Sequence, residues 1–139
     1  MRAGRKAYGY NLSFPSPWVI DILGKLDFDF VFIDGEHGPF GLDQLEDLCR
    51  TAERYNLTTI ARVPDIGSST ILRYLDRGIM GILGPHIATE ADARQLVRAC
   101  MLLMRVAGFY HRRKSSSPQR HGVHGDTSLN EILLSATEA

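Results

Sequence analysis

Short apolar runs typical of strands alternate four times with segments that have the apolar spacing of helices. The predicted strands cover residues 8–12, 28–33, 58–62 and 79–83. The predicted helices begin at Ser16 with Pro17 in the first turn, near Leu42, at Ser68 or Ser69, and at Thr89, which opens a capping-box pattern with Asp92. Gly78 is expected to end the third helix. This alternation predicts an α/β fold with a parallel sheet.

Four consecutive βα units make up half of a (β/α)8 TIM barrel, which is the fold that we expect. A closed barrel takes about 250 residues, with about 200 as a lower bound. The 139 residues of this chain are therefore expected not to close a barrel alone. An open doubly wound sheet is the alternative, although no glycine-rich nucleotide-binding motif supports it.

The character of the sequence changes after residue 107. Residues 111–120 are basic and serine-rich and have no apolar period, and only residues 129–134 could form a short helix. We expect a partial TIM-barrel domain at residues 1–107 and an irregular or disordered tail at 108–139. The histidines of residues 121–126 lie in this tail, where no scaffold would hold metal ligands in place.

Charge and composition exclude several classes of partner. Lysine and arginine total 16, as do aspartate and glutamate, so no excess charge favours nucleic acid or an anionic membrane. No apolar stretch is long enough to span a bilayer or to follow the basic N-terminus as a signal peptide. A cytoplasmic protein is expected, in which Cys49 and Cys100 are buried free thiols.

Polar residues that could carry chemistry follow the second predicted strand directly. Asp34, Glu36 and His37 come at its carboxyl end, where parallel α/β folds place their active sites. A histidine beside carboxylates at such a position can transfer protons. Alternatively, Asp34-Gly35 is an ordinary turn, Glu36 a solvated side chain and His37 a residue that hydrogen-bonds within its loop.

Arg62 ends the third predicted strand and should project towards the same region. Its guanidinium suits a carboxylate or a developing enolate oxygen, although a salt bridge to Asp34 or Glu36 is an equally open role. Asp76 lies in the last turn of its helix, where the helix dipole disfavours a negative charge. Either Asp76 has a partner elsewhere, or the neighbouring Arg73 and Arg77 neutralise its charge locally. His86, after the fourth strand, could line the same region at the carboxyl ends of the strands.

Four motifs together resemble one known family, the HpcH/HpaI aldolases. They are IDGEHGP at residues 33–39, ARVP at 61–64, LDRG at 75–78 and GILGPH at 81–86. The resemblance runs from about residue 8 to Cys100 and implies the N-terminal half of a class II, metal-dependent pyruvate aldolase. Such enzymes reversibly cleave a 4-hydroxy-2-oxo acid into pyruvate, or a related 2-oxo acid, and an aldehyde.

The resemblance also implies roles for individual residues. His37 matches the catalytic histidine, Asp76 the aspartate paired with it, and Arg62 the arginine that stabilises the enolate. Asp34 and Glu36 match acidic residues beside the metal and its water. Small 2-oxo acids and aldehydes are the implied substrates, and full-length members are expected to be homo-oligomers.

The implied cofactor is a divalent metal, Mg2+, Mn2+ or Co2+. The family's direct metal ligands belong to strands of the second half-barrel, which this chain does not contain. We therefore expect little turnover from these 139 residues alone. The alternative is a non-catalytic fragment that associates with another chain or misfolds.

The family pattern stops near Cys100. Read one base earlier, the codons of residues 101–104 can spell Tyr-Ala-Pro-Asp, which resembles the family's next segment. We hypothesise a frame-shifted tail, with a divergent tail as the alternative.

Overall fold

The computed structural model describes residues 6–106, in which four strands alternate with four helices. The strands are β1 (Gly9–Leu12), β2 (Phe30–Asp34), β3 (Thr58–Arg62) and β4 (Gly81–Leu83). The helices are α1 (Pro17–Lys25), α2 (Leu42–Arg54), α3 (Ser68–Asp76) and α4 (Glu90–Val106). All three strand pairings are parallel, and the strands follow one another in sequential order. The predicted α/β fold of four βα units is confirmed.

The sequential strand order distinguishes a barrel-type sheet from a doubly wound one. Right-handed crossovers between neighbouring strands carry every helix to the same face, whereas a doubly wound sheet reverses its order to cover both faces. Val31 and Ile33 of β2 and Ala61 of β3 are fully buried, whereas Phe32 is only half-buried because it points to the opposite face. The described sheet is thus covered on one face, as in a half-barrel.

The main hydrophobic core lies between that covered face and the helices. Its fully buried side chains come from every layer, namely Leu12, Ile20, Val31, Ile33, Leu45, Leu48, Ala52, Ala61 and Val63. Cys49 belongs to this core, and Cys100 packs in a smaller cluster with Ile71 and Ala99. Both cysteines are buried thiols that form no disulfide, as predicted.

Helix ends follow their capping residues. The Ser16 hydroxyl accepts a hydrogen bond from the Val19 amide at 3.4 Å, which fixes the start of α1 as predicted. Thr89 and Asp92 form the reciprocal capping box of α4, with N–H to side-chain oxygen distances of 3.2 and 2.9 Å.

The start of α3 differs from the prediction of a serine cap at Ser68 or Ser69. Gly67 is the N-cap and Ser68 is already helical. The Asp65 carboxylate accepts from the Gly67 amide at 2.7 Å and from the Thr70 hydroxyl at 2.9 Å, so it organises this turn. Gly78 follows the end of α3 with a φ of 99°, the left-handed conformation that glycine tolerates.

Within residues 6–106, no helix combines the length and apolarity needed to cross a membrane. The predicted tail at 108–139, including residues 121–126 and 129–134, lies outside the described residues.

Candidate active site

The carboxyl ends of β2 and β3 bring together the polar residues that follow these strands. Asp34 and Arg62 are directly opposite each other in the parallel register. The Gly35 amide donates to the Arg62 carbonyl at 2.8 Å and so continues the strand pairing into the loop. The loop that carries Glu36 and His37 therefore leaves the sheet from a fixed point.

Asp34 and Arg62 form a forked ion pair. The guanidinium donates through Nε to Oδ1 at 2.9 Å and through Nη2 to Oδ2 at 2.5 Å. Oδ1 also accepts from the backbone amides of Glu36 and His37, both at 3.2 Å. The hydrogen bond from Arg62, together with these amides, lowers the pKa of Asp34 to about 2. Asp34 is thus an ionised residue that anchors both the arginine and the loop.

Glu36 joins the arginine to two histidines. Its carboxylate is only 11% exposed, and Oε2 lies 3.2 Å from Arg62 Nε and 3.7 Å from His37 Nε2. Its other oxygen, Oε1, lies 2.9 Å from His86 Nε2. Both histidine rings are largely exposed, at 69% for His37 and 86% for His86. The site therefore has ionic groups at its base and imidazoles at its rim.

Arg62 makes the salt bridge that the sequence left open, but its guanidinium retains binding capacity. Among residues 6–106 the side-chain hydrogen bonds of Arg62 use Nε and Nη2, and none of them uses Nη1. Two carboxylates hold the charge in place, and they raise the pKa of Arg62 chiefly through its hydrogen bond to Asp34. An oxygen of a small anion could bind at Nη1 without breaking the network.

Asp76 is not brought to this cluster. Helix α3 starts near the carboxyl end of β3 and runs back, so that Gly78, just beyond Asp76, accepts from the Thr59 hydroxyl at 3.1 Å. Thr59 precedes Arg62 by three residues, or about 10 Å of strand. The described residues of one chain thus do not bring Asp76 to His37, and the pairing of the two stays a prediction. Arg77 does not neutralise Asp76 either, since it lies 3.8 Å from Glu46.

His86, expected only as a residue that could line the site, contacts it directly, and sequence reasoning missed Tyr74. A polar residue in a strand-to-helix loop often serves only as a cap, yet the His86 ring reaches Glu36. Tyr74 fits the helical pattern of α3 without marking a function, but it is buried with its hydroxyl against Gly35. Burial, followed by the charges of Asp34 and Asp65, raises the pKa of Tyr74. The spacing of apolar residues identifies the buried face of α3. It does not show that this face packs against the loop that contains Gly35.

The described carboxylates do not form a metal centre by themselves. Within residues 6–106 no group of three or more His, Cys, Asp or Glu side chains is arranged to hold an ion. Asp34 and Glu36 are already paired with Arg62, and a cation such as Mg2+ requires about six oxygen ligands. Their predicted place as residues beside a metal site stays a prediction, and direct ligands would have to come from elsewhere.

Comparison with known proteins gives one consistent family. The profile of the HpcH/HpaI aldolase/citrate lyase family matches residues 10–112, which extends beyond Cys100 where the recognisable motifs end. A hydroxypyruvate/pyruvate aldolase of Roseobacter denitrificans is 35% identical over 98 residues, covering 70% of this chain and 38% of the relative. A 4-hydroxy-4-methyl-2-oxoglutarate aldolase of Chaetomium globosum is 37% identical over 101 residues, covering 70% and 37%.

A solved structure agrees with these relatives. An HpcH/HpaI aldolase/citrate lyase family protein of Burkholderia cenocepacia superposes with a TM-score of 0.63 at 29% identity, covering 67% of this chain and 37% of that one. The chain thus spans between a third and two fifths of the length of the curated relatives named above. Because the family profile covers most of its residues and a family structure shares its fold, this chain belongs to the HpcH/HpaI aldolase/citrate lyase family.

Proposed function

We propose that this protein is a carbon–carbon lyase that reversibly cleaves a 4-hydroxy-2-oxo acid into pyruvate, or a related 2-oxo acid, and an aldehyde. The observation that carries the proposal is Arg62, held by Asp34 and Glu36 with Nη1 left for a substrate oxygen. The aldolase names of the relatives support the same reaction class. The network lies where parallel α/β enzymes carry their chemistry.

Each described residue has a role in this mechanism. His37 takes the proton of the C4 hydroxyl, since its ring is exposed at the rim. The C3–C4 bond then breaks, the aldehyde leaves, and the electron pair becomes the enolate of the 2-oxo acid. Arg62 stabilises the enolate oxygen, and protonation of C3 gives pyruvate. Asp34 and Glu36 hold Arg62. Asp76 keeps its proposed role as the partner of His37, although a single chain places it towards the opposite end of the sheet.

A divalent cation, implied by the family resemblance, would polarise the 2-oxo acid once bound. The described residues do not supply enough ligands for it, so no step above depends on it. Mg2+, Mn2+ and Co2+ remain the proposed ions, a homo-oligomer the proposed assembly, and residues 1–107 the proposed catalytic domain.

A second candidate is a chain without turnover that associates with another chain. The sheet face opposite the helices favours it, because Phe32 and Ile60 are only half-buried there and Leu83 at its edge is 48% exposed. Concentration-dependent assembly in sedimentation, without pyruvate release under any condition, would support this candidate over the lyase.

The lyase proposal is tested at two levels. In the 139-residue chain, oxalate, a planar mimic of the pyruvate enolate, is titrated while the backbone amides of Glu36 and His37, which Asp34 holds beside Arg62, are followed by NMR. We expect saturable shifts that Arg62→Lys abolishes, because lysine lacks the guanidinium fork. Arg77→Lys is the matched control and should bind oxalate like the parent.

Turnover is measured in the complete gene product by coupling pyruvate release to NADH oxidation with Mg2+, Mn2+, Co2+ or chelator. His37→Ala and Arg62→Ala should each lower kcat/KM by about 100-fold. Absence of pyruvate release with all three ions in a folded sample would refute the lyase assignment.

A further inference from the structure

His86 has a backbone conformation that its residue type seldom adopts. It lies between β4 and α4 with a φ of 50°. Residues other than glycine seldom reach this left-handed region, and they persist there when their surroundings fix them. Such positions are concentrated at binding and catalytic sites.

The loop around His86 is fixed on both sides. Before it, Gly84 is packed so closely that a Cβ would lie 2.7 Å from Leu96 Cδ2. After it, the amides of Ala88 and Thr89 donate to the Asp92 carboxylate at 3.2 and 2.9 Å. The backbone on both sides of His86 is therefore held in place.

The ring is held through one nitrogen. His86 Nε2 lies 2.9 Å from Glu36 Oε1, and Glu36 is nearly buried whereas the ring is exposed. An ionised carboxylate can only accept a hydrogen bond, so Nε2 carries the proton. In the neutral ring Nδ1 is then an acceptor. Because the imidazole is exposed, Nδ1 can accept a hydrogen bond from a molecule that binds at the carboxyl end of the sheet.

Glu36 also fixes the distance between His86 and Arg62. Its two oxygens contact the two residues separately, through Oε1 to His86 and through Oε2 to Arg62. A ligand that binds Arg62 by its 2-oxo acid end can therefore reach His86 with its other end. A bound carboxylate would need a donor at that place, whereas a hydroxyl can donate to the acceptor Nδ1.

The geometry points to His86 as a further substrate-binding residue, whose Nδ1 accepts a hydrogen bond from a hydroxyl group on the aldehyde-derived part of the substrate. This inference rests on the proposed lyase function and narrows its substrates to those that release a hydroxy-aldehyde. No proton needs to leave the substrate at His86, so the role differs from that of His37.

The first test is nitrogen NMR of the imidazoles in the 139-residue chain. We expect His86 to be protonated at Nε2, with an unprotonated Nδ1. A neutral ring protonated at Nδ1 would overturn the inference, because its exposed nitrogen could then donate but not accept.

The second test compares two aldehydes in the complete gene product, with pyruvate as the other substrate. Glycolaldehyde carries the hydroxyl and acetaldehyde is its matched analogue. The ratio of their kcat/KM values should fall about tenfold in His86→Asn and in His86→Gly, the size expected for one lost hydrogen bond. Asparagine and glycine both tolerate a positive φ, so the loop keeps its path.

Ala88→Gly, which loosens the same loop without touching the ring, is the control and should keep the parent ratio. An unchanged ratio in both His86 variants, with turnover intact, would overturn the inference and leave the lyase function standing. Absence of turnover with either aldehyde in the parent would refute the proposed function and this inference with it.

Discussion

The two ends of the sheet contain the same kinds of side chain in different arrangements. At the carboxyl end, Arg62 contacts the carboxylates of Asp34 and Glu36 at 2.5 and 3.2 Å. At the amino end, Arg77 Nε lies 3.8 Å from Glu46 Oε2, which is too far for a hydrogen bond. This nitrogen has no hydrogen-bond partner among the described residues.

The difference lies in what positions the charged groups. Asp34 and Arg62 are adjacent in strand register, so the sheet itself holds them face to face. Arg77 and Glu46 lie on or beside two helices that pack through apolar contacts. Charged residues acquire a defined geometry where the backbone hydrogen bonds specify it, and the carboxyl end is the place where they do.

The largest expected effect is that of Arg62→Ala, which leaves two carboxylates without their partner. The free energy of unfolding should fall by about 2–3 kcal/mol, less than for a fully buried pair because Arg62 retains 29% exposure. Urea unfolding measures it. Arg77→Met is the matched change at the amino end and should stay within about 0.5 kcal/mol. Equal losses of unfolding free energy in the two variants would show that strand register does not distinguish the two ends of the sheet.

Gly35→Ala tests whether the loop path is fixed by packing. A Cβ there would overlap the Tyr74 hydroxyl and lie 2.8 Å from the Arg62 carbonyl oxygen, which belongs to the backbone. We expect a loss of about 1–3 kcal/mol in unfolding free energy. Gly81→Ala is the control, because its Cβ would meet Ile60 Cγ1 at 3.2 Å on the half-buried sheet face, where the side chain can turn. A larger loss in Gly81→Ala would contradict this account.

The smallest effect concerns the pH dependence due to Asp34. Its pKa is lowered from 3.8 to about 2, so its ionised form stabilises the fold above pH 4 and this contribution is lost as the pH falls towards 2. Asp34→Asn should cost about 1 kcal/mol at pH 7, because the amide oxygen still accepts from the loop backbone.

Unfolding measured between pH 2 and pH 7 should show the parent and Asp34→Asn converging as the pH approaches 2. Curves that stay parallel over this range would show that the charge of Asp34 does not stabilise the fold.

The fold was predictable because each element follows a local rule. Residues 58–62 were predicted as a strand with the observed bounds, and Ser16 and Thr89 cap the helices expected from them. Trp18 shows where local rules fail, since it continues the apolar pattern of α1 but is 80% exposed, whereas Ile20 is buried. Apolar periodicity predicts where a helix lies more reliably than it predicts which residues near the end of a short helix are buried.

The site was predictable only in part. Asp34 and Arg62 meet because parallel strands share one carboxyl end, and the alternation of strands and helices in the sequence is enough to predict that geometry. The pairing of Asp76 with His37 came from the resemblance alone and stays a prediction, because α3 runs away from the site within one chain. His86 needed a left-handed backbone to face Glu36, and no sequence pattern for histidine predicts that conformation.

The sequential strand order has a consequence for how such a chain can change over evolution. The principal contacts among described elements join each βα unit to the next one, through paired strands and neighbouring helices. Residues of the site likewise come from the ends of three successive units. Exchange of a single unit with a relative can therefore reset the chemistry only if the new unit also fits the contact surfaces of its neighbours, because scaffold and active constellation are both shared between units.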